Sequence, residues 1–343
     1  MANPLRPAWL LPALLLAAGQ AAAAADPIAD FYHSHPITIV IGFGPGETYD
    51  LYARLLARHM GRHIPGHPTL VPQNMPGAGS LNAANHLYNV AARDGSVFGV
   101  THRFVPIMPL LAMEGAQFDA QKFTYLGSAN QENAVCYARA DSGIASLADL
   151  KSKTLVVGTT GKGAELTTFN ATLRNVLGLK LKVISGYLTS TEVSNAVEKN
   201  ELQGRCGESY GSLLQLHPDW VEKHSINFLI ELGLTHDPKV PSVPLLPALV
   251  TDATDRQAVE LMLSPSLMGR PFFGPPGMPR DRVEALRAAF DATMRDPELL
   301  AEAKQQRLDI MPMQGAAIEA LLARLYHAPE AVVSRARALV AAE

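Results

Sequence analysis

Short β-branched runs alternate with longer amphipathic ones along this chain. Residues 37–43 are apolar and β-branched and end in Gly44-Pro45-Gly46, which predicts a buried strand. Leu51, Leu55, Leu56 and Met60 then share one helical stripe, with Gly61 as its stop. Residues 69–71 and 97–101 are the next strand candidates. Between them Leu81, Ala84, Leu87 and Tyr88 occupy one face of a helix that stops before Asp94-Gly95. Strands are predicted again at 125–127, 134–137, 155–158, 181–184 and 228–232, with helical pieces at 147–150 and 194–198 and a longer helix ending at Gly178. The last third reads as mostly helical. Pro279 opens one helix, with Val283, Leu286, Phe290 and Met294 on a shared face. Asp296-Pro297-Glu298 starts a second, Ile318, Leu321, Leu322 and Leu325 line a third, and Pro329 starts a last segment.

This alternation is the α/β pattern. The pattern suggests two α/β lobes, with the chain crossing between them near 126–134 and returning near 228–234. The expected division is 1–25 as an export segment, 26–128 as the first part of lobe one, 129–231 as lobe two, and 232–343 as the return to lobe one with the C-terminal helices. A ligand cleft is expected between the lobes. No internal repeat is present.

Two glycine-rich turns feed the first two long helices. The first runs through Gly42, Gly44, Pro45 and Gly46, the second through Pro76, Gly77, Ala78, Gly79 and Ser80. A helix start leaves backbone N–H groups unpaired and carries partial positive charge. Two such starts converging on one cleft would clamp an anion. A third glycine-rich turn, Thr159-Thr160-Gly161-Lys162-Gly163, precedes the helix that ends at Gly178.

Composition narrows the partner. Arg6, an apolar stretch from Trp9 to Ala18 and an alanine run before Asp26 form a secretory signal, cut near Ala25. The folded protein is therefore expected outside the cytoplasm, in a bacterium in the periplasm. A net charge of −3 with 18% charged residues argues against nucleic acid as a partner. Cys136 and Cys206 are the only cysteines. An even pair in an oxidising compartment predicts one disulfide, two separate buried thiols being the alternative. The cysteines and histidines have no zinc spacing, so no metal and no cofactor are expected.

Several stretches together resemble one family. They are Tyr49-Asp50-Leu51-Tyr52-Ala53-Arg54 after the first turn, Gln73-Asn74-Met75-Pro76-Gly77-Ala78-Gly79 in the second, Ala91-Ala92-Arg93-Asp94-Gly95, and the glycine- and proline-rich segment at 269–279. They resemble the Bug family, the solute receptors of tripartite tricarboxylate transporters, over nearly the whole chain beyond the signal. The resemblance implies a type II periplasmic-binding-protein fold, with two α/β lobes, a hinge and a central cleft. It implies a receptor rather than an enzyme, which holds a small organic anion, a carboxylate or dicarboxylate. The implied partner is the membrane part of the transporter, or alternatively a signalling protein, and the expected state is a monomer. By position, Gly44, Pro45, Gly46 and Thr48 would line loop one, and Gly77, Ala78, Gly79 and Ser80 loop two. Thr159, Thr160 and Gly161 would face them from the other lobe, and Glu208 and Ser209 would meet the solute's variable end.

Glu47 departs from the family, which carries small residues there. A carboxylate beside an anion pocket repels a bound carboxylate. Either Glu47 suits the helix dipole and faces solvent, or the solute offers it a donor such as an amine or hydroxyl. The same two readings apply to Asp50. Lys162 is either a partner for a ligand carboxylate or a solvated loop lysine. Tyr187 and Tyr210 either stack on a solute ring or pack the cleft wall.

Two other signals compete. Gly207-Glu208-Ser209-Tyr210-Gly211 matches the G-x-S-x-G pattern of α/β hydrolases, with His217, His224, His236 and Asp237 downstream. That motif needs a buried strand before the serine, and residues 201–206 read as too polar for one. A hydrolase using Ser209 is the alternative function. His59 and His63 have i, i+4 spacing, but with Gly61 ending the helix between them they read as surface histidines.

Overall fold

The computed structural model describes residues 26–161, 164–240 and 242–341. The export signal expected at 1–25, and Lys162, lie outside the described residues. Eleven strands among those residues form two sheets. In chain order they are β1 (Ile37–Ile41), β2 (Leu70–Asn74), β3 (Val97–Val100), β4 (Thr124–Ser128), β5 (Ala134–Arg139), β6 (Leu155–Thr159), β7 (Leu181–Ser185), β8 (Gly204–Ser209), β9 (Ile226–Leu232), β10 (Pro271–Gly274) and β11 (Met313–Gln314). The first sheet has the order β11-β4-β10-β3-β1-β2, the second β7-β6-β8-β5-β9. The chain passes from the first sheet to the second between β4 and β5 and returns between β9 and β10.

β1 shows why the first sheet sits inside its lobe. It pairs in parallel with β2 and β3, and Ile37, Ile39, Val40 and Ile41 are all buried. Successive side chains of a strand point to opposite faces. Ile37, Ile39 and Ile41 pack into a cluster with Leu55, Leu56 and Met60 of the helix Thr48–Met60. Val40 packs the other way, with Leu81, Ala84 and Leu87 of the helix Leu81–Asn89. Both faces covered by helices is the normal condition of a parallel sheet. The C-terminal helix Glu330–Val340 packs on the helices Ala253–Leu263 and Glu165–Leu177, the latter beside the second sheet.

Three strands were not legible in the pattern. β8 is the main correction: far from being too polar, residues 204–209 form the middle strand of the second sheet. Arg205 and Glu208 are buried there because each satisfies the other, Nη1 to Oε1 at 2.9 Å. Ser194 also bonds both, and the Tyr137 hydroxyl donates to Glu208 at 2.6 Å. β10 lies inside the segment that reads as a loop, with Pro271 at the first strand position, where no ladder hydrogen bond is lost. β11 has two residues and carries no pattern. The Cys136–Cys206 disulfide is present and joins directly opposed residues of β5 and β8.

His59 and His63 are not simple surface histidines. His59 is buried, with Nε2 2.6 Å from Glu302, and His63 Nε2 lies 2.8 Å from Asp296. They tie the helix Thr48–Met60 and its end to the helix Pro297–Gln305. His59, Asp296 and Glu298 converge closely enough to hold a cation. The Arg62 guanidinium already stands among them, 2.9 Å from Asp296 and 2.5 Å from Glu298. Among the described residues no helix is long and apolar enough to cross a membrane.

Candidate functional site

The cleft is built where strands end. From the first lobe it receives the segments that follow β1, β2 and β3, and from the second those that follow β6, β7 and β8. In α/β sheets this is where helix starts point outward together. Two neighbouring chambers result, which share Phe43, Glu47 and Ser190 in their walls.

The outer chamber holds the glycine turns. Gly42, Gly44 and the residues Pro76, Gly77, Ala78, Gly79 and Ser80 line it from one lobe, Thr160, Leu188 and Thr189 from the other. Gly77, Ala78, Gly79 and Ser80 have φ of 124°, 48°, 61° and 74° in succession. Left-handed backbone at Ala78 and Ser80 is strained, and such strain concentrates at binding sites. Ser80 precedes the helix Leu81–Asn89, yet its hydroxyl does not cap it. It donates instead to the Gly42 carbonyl at 2.9 Å, which ties the second turn to the first. The first amides of that helix are left without a side-chain acceptor.

The first turn is partly consumed by its own acids. Gly44 N donates to Glu47 Oε2 at 3.2 Å, and Gly46 N to Asp50 Oδ2 at 2.9 Å. Asp50 is buried and also accepts from Arg54 Nε and from Asn74 Nδ2, both at 2.8 Å. Burial opposes its ionisation, but the Arg54, Gly46 and Asn74 hydrogen bonds hold its carboxyl below the ordinary range. Asp50 therefore locks β2 and the first turn together inside one lobe. Glu47 points the other way, into the cleft.

The inner chamber is lined with charge. Arg103 Nε lies 2.9 Å from Glu165 Oε1, and His102 Nε2 lies 3.0 Å from Glu165 Oε2. Burial alone would raise the Glu165 carboxyl, but Arg103 and His102 bring it down to about 2. Arg270 pairs with Glu132, stacks 4.1 Å above the Tyr49 ring, and donates to Ser212 Oγ at 3.1 Å. With Arg205–Glu208, three arginine–glutamate pairs surround the chamber. Thr48 Oγ1, Arg205 Nε and Arg270 Nε are buried there without hydrogen-bond partners.

The structure thus gathers Gly44, Glu47, Gly77, Ala78, Gly79, Ser80 and Thr160 around the outer chamber, and Glu47, Thr48, Glu208 and Ser209 around the inner one. Others serve their own lobes. Pro45 and Gly46 are exposed on the turn, and Asp50 is bonded as described. Thr159 is buried, its hydroxyl 2.5 Å from Thr167, which also donates to the Gly161 carbonyl. Tyr187 packs beside Gly158 and the cluster containing Val193 and Leu202. Sequence reasoning missed His102, Arg103, Glu165, Arg205 and Arg270. The visible signal was charge placed inside apolar runs, as in Val100-Thr101-His102-Arg103-Phe104-Val105.

Ser209 does end a strand and start a helix, as a nucleophile elbow does. Its hydroxyl, however, caps the helix Tyr210–Leu216 by accepting from Ser212 N at 3.3 Å. Among the described residues no histidine bonds it; His236 is bonded to Glu231 and His217 stacks on Trp220.

No family model matches the chain. A curated UPF0065 protein from the TAR-I ttuE-ttuC' intergenic region of Agrobacterium vitis is 26% identical over 221 residues. That match spans 62% of this chain and 62% of the relative. Among solved structures, the periplasmic binding protein BugD superposes with a TM-score of 0.67 at 19% identity, over 87% of this chain and 96% of its own. The chain has the Bug and TctC periplasmic-binding-protein fold. Another Bug-like neighbour, MatC from Rhodopseudomonas palustris, was solved with bound malate; its TM-score is 0.66 at 18% identity, over 90% and 99% of the two chains. A further R. palustris protein, solved with adipate, gives 0.68 at 16%, over 88% and 97%. A Bug-type fold accounts for the two sheets, the double crossing and the cleft at the strand ends.

Proposed function

We propose that this protein is a periplasmic receptor for a small organic anion, a carboxylate or dicarboxylate, which it delivers as a monomer to a membrane transporter of the tripartite tricarboxylate type. The observation that carries this reading is the turn Gly77–Ser80. Its strained backbone leads into a helix start that no side chain caps, opposite Thr160 and Thr189 of the other lobe. Uncapped amides at a helix start bind anions without a charged side chain. The fold and the acid ligands of two structural neighbours support the same reading. Its mechanism is lobe closure: a solute touching both lobes favours the closed state, which the membrane partner reads.

A thermal-shift screen of organic acids, sugars and cations on the processed protein tests it. Stabilisation by one or more acids is expected. Stabilisation by sugars or cations alone would overturn the reading.

A further inference from the structure

Among the described residues, Glu47 is the cleft carboxylate that forms no ion pair of its own. Arg103 is matched by Glu165, Arg205 by Glu208 and Arg270 by Glu132. Glu47 has its Oε2 on Gly44 N, while its Oε1 is buried with no partner, and among the described residues it forms no ion pair. A carboxylate taken from water without a cation is costly. Burial accordingly pushes its pKa up, against the pull of Gly44 N, of Arg205 and of the Ser190 amide across the cleft. A simple carboxylate entering beside it would add repulsion.

The same chamber also has unmet donors. Arg205 Nε and Arg270 Nε are buried without acceptors. The vacant interactions therefore have two opposite senses: donors that need an acceptor, and one carboxylate that needs a cation. A solute carrying a carboxylate and an ammonium group satisfies both at once. We propose that the solute is an amino-carboxylate and that Glu47 selects it by pairing with its ammonium group. This inference rests on the anion-receptor reading and narrows its substrate class.

The test uses matched acids that differ only in an amino group: propionate with alanine, succinate with aspartate, glutarate with glutamate, and malate as a hydroxyl control. Affinities for the processed protein and for E47Q are measured by calorimetry at pH 7. In at least one pair the amino acid is expected to bind ten-fold or more tightly than its partner, and E47Q is expected to erase that preference while keeping the wild-type circular dichroism. K162A, a control for the lysine that the sequence places in the third glycine-rich turn, should keep the preference. Equal binding within every pair, malate matching the amino acids, or a preference that survives E47Q or is lost in K162A would overturn the role of Glu47 alone. Failure of every acid to bind, with sugars or cations binding instead, would overturn the anion-receptor reading and this inference with it.

Discussion

Arg103 Nε lies 2.9 Å from Glu165 Oε1, and this buried pair joins the two lobes. Arg103 follows β3 of the first sheet; Glu165 opens the helix Glu165–Leu177 beside the second. Removing one partner of such a pair strands a charge in a dry site and costs about 3–5 kcal/mol, whereas replacing both by apolar residues is often near neutral. R103M is therefore expected to lower the unfolding free energy by roughly that amount, and R103M/E165M to recover most of it. Urea titrations of the three proteins check this.

Two of the cleft glutamates, Glu165 and Glu47, should respond to pH with opposite signs. Glu165 titrates at about 2 in the folded protein, below its unfolded value of 4.5. Its contribution to stability is present above pH 4.5 and is lost as pH falls toward 2. E165Q should flatten the acid limb of the stability curve. Glu47 is raised by burial, so its ionisation costs stability as pH rises above 4.5. E47Q should be at least as stable as wild type at pH 7, with the gap closing below pH 4.5. Urea midpoints between pH 2 and 7 give both results.

Gly77 has φ of 124°, and a Cβ there would collide with the Asn82 side-chain amide. G77A should shift the second turn, cost more than about 1 kcal/mol of stability, and weaken acid binding at least ten-fold. Calorimetry separates this from S80A, which loses only the hydrogen bond to Gly42 O. That variant should cost about 1 kcal/mol with a smaller loss of affinity.

The Cys136–Cys206 bridge spans 70 residues of sequence. Titration of the unfolded, unreduced protein should find no free thiol. C136A/C206A should lose about 2–4 kcal/mol, the usual range for a loop of this size. Because the bridge crosses the middle of the second sheet, the loss should appear in one cooperative transition rather than as local fraying.

Most of the fold was legible from periodicity because apolar strands and helices are buried as units. Ile37, Ile39, Val40 and Ile41 show it: a short apolar, β-branched run already predicted a buried strand. β8 was not legible, because a strand containing Arg205 and Glu208 looks exposed until Ser194 and Tyr137, from two other elements, are placed around it. The site divides in the same way. Gly77, Ala78 and Gly79 stand out locally, since backbone with positive φ favours glycine. Arg103, Glu165 and Arg270 do not, since a lone charge in sequence gives no hint of its partner.

The order of residues by itself therefore determined the alternation of strands and helices, the two glycine turns and the even cysteine pair. These depend on local backbone preference and side-chain period, which a linear pattern carries. Tertiary structure alone decided that Asp50 turns into its own lobe while Glu47, three residues earlier, lines the cleft. It also decided which glutamate neutralises each arginine. Those outcomes depend on which segments, far apart in the chain, end side by side, because charges interact through space and not along the chain.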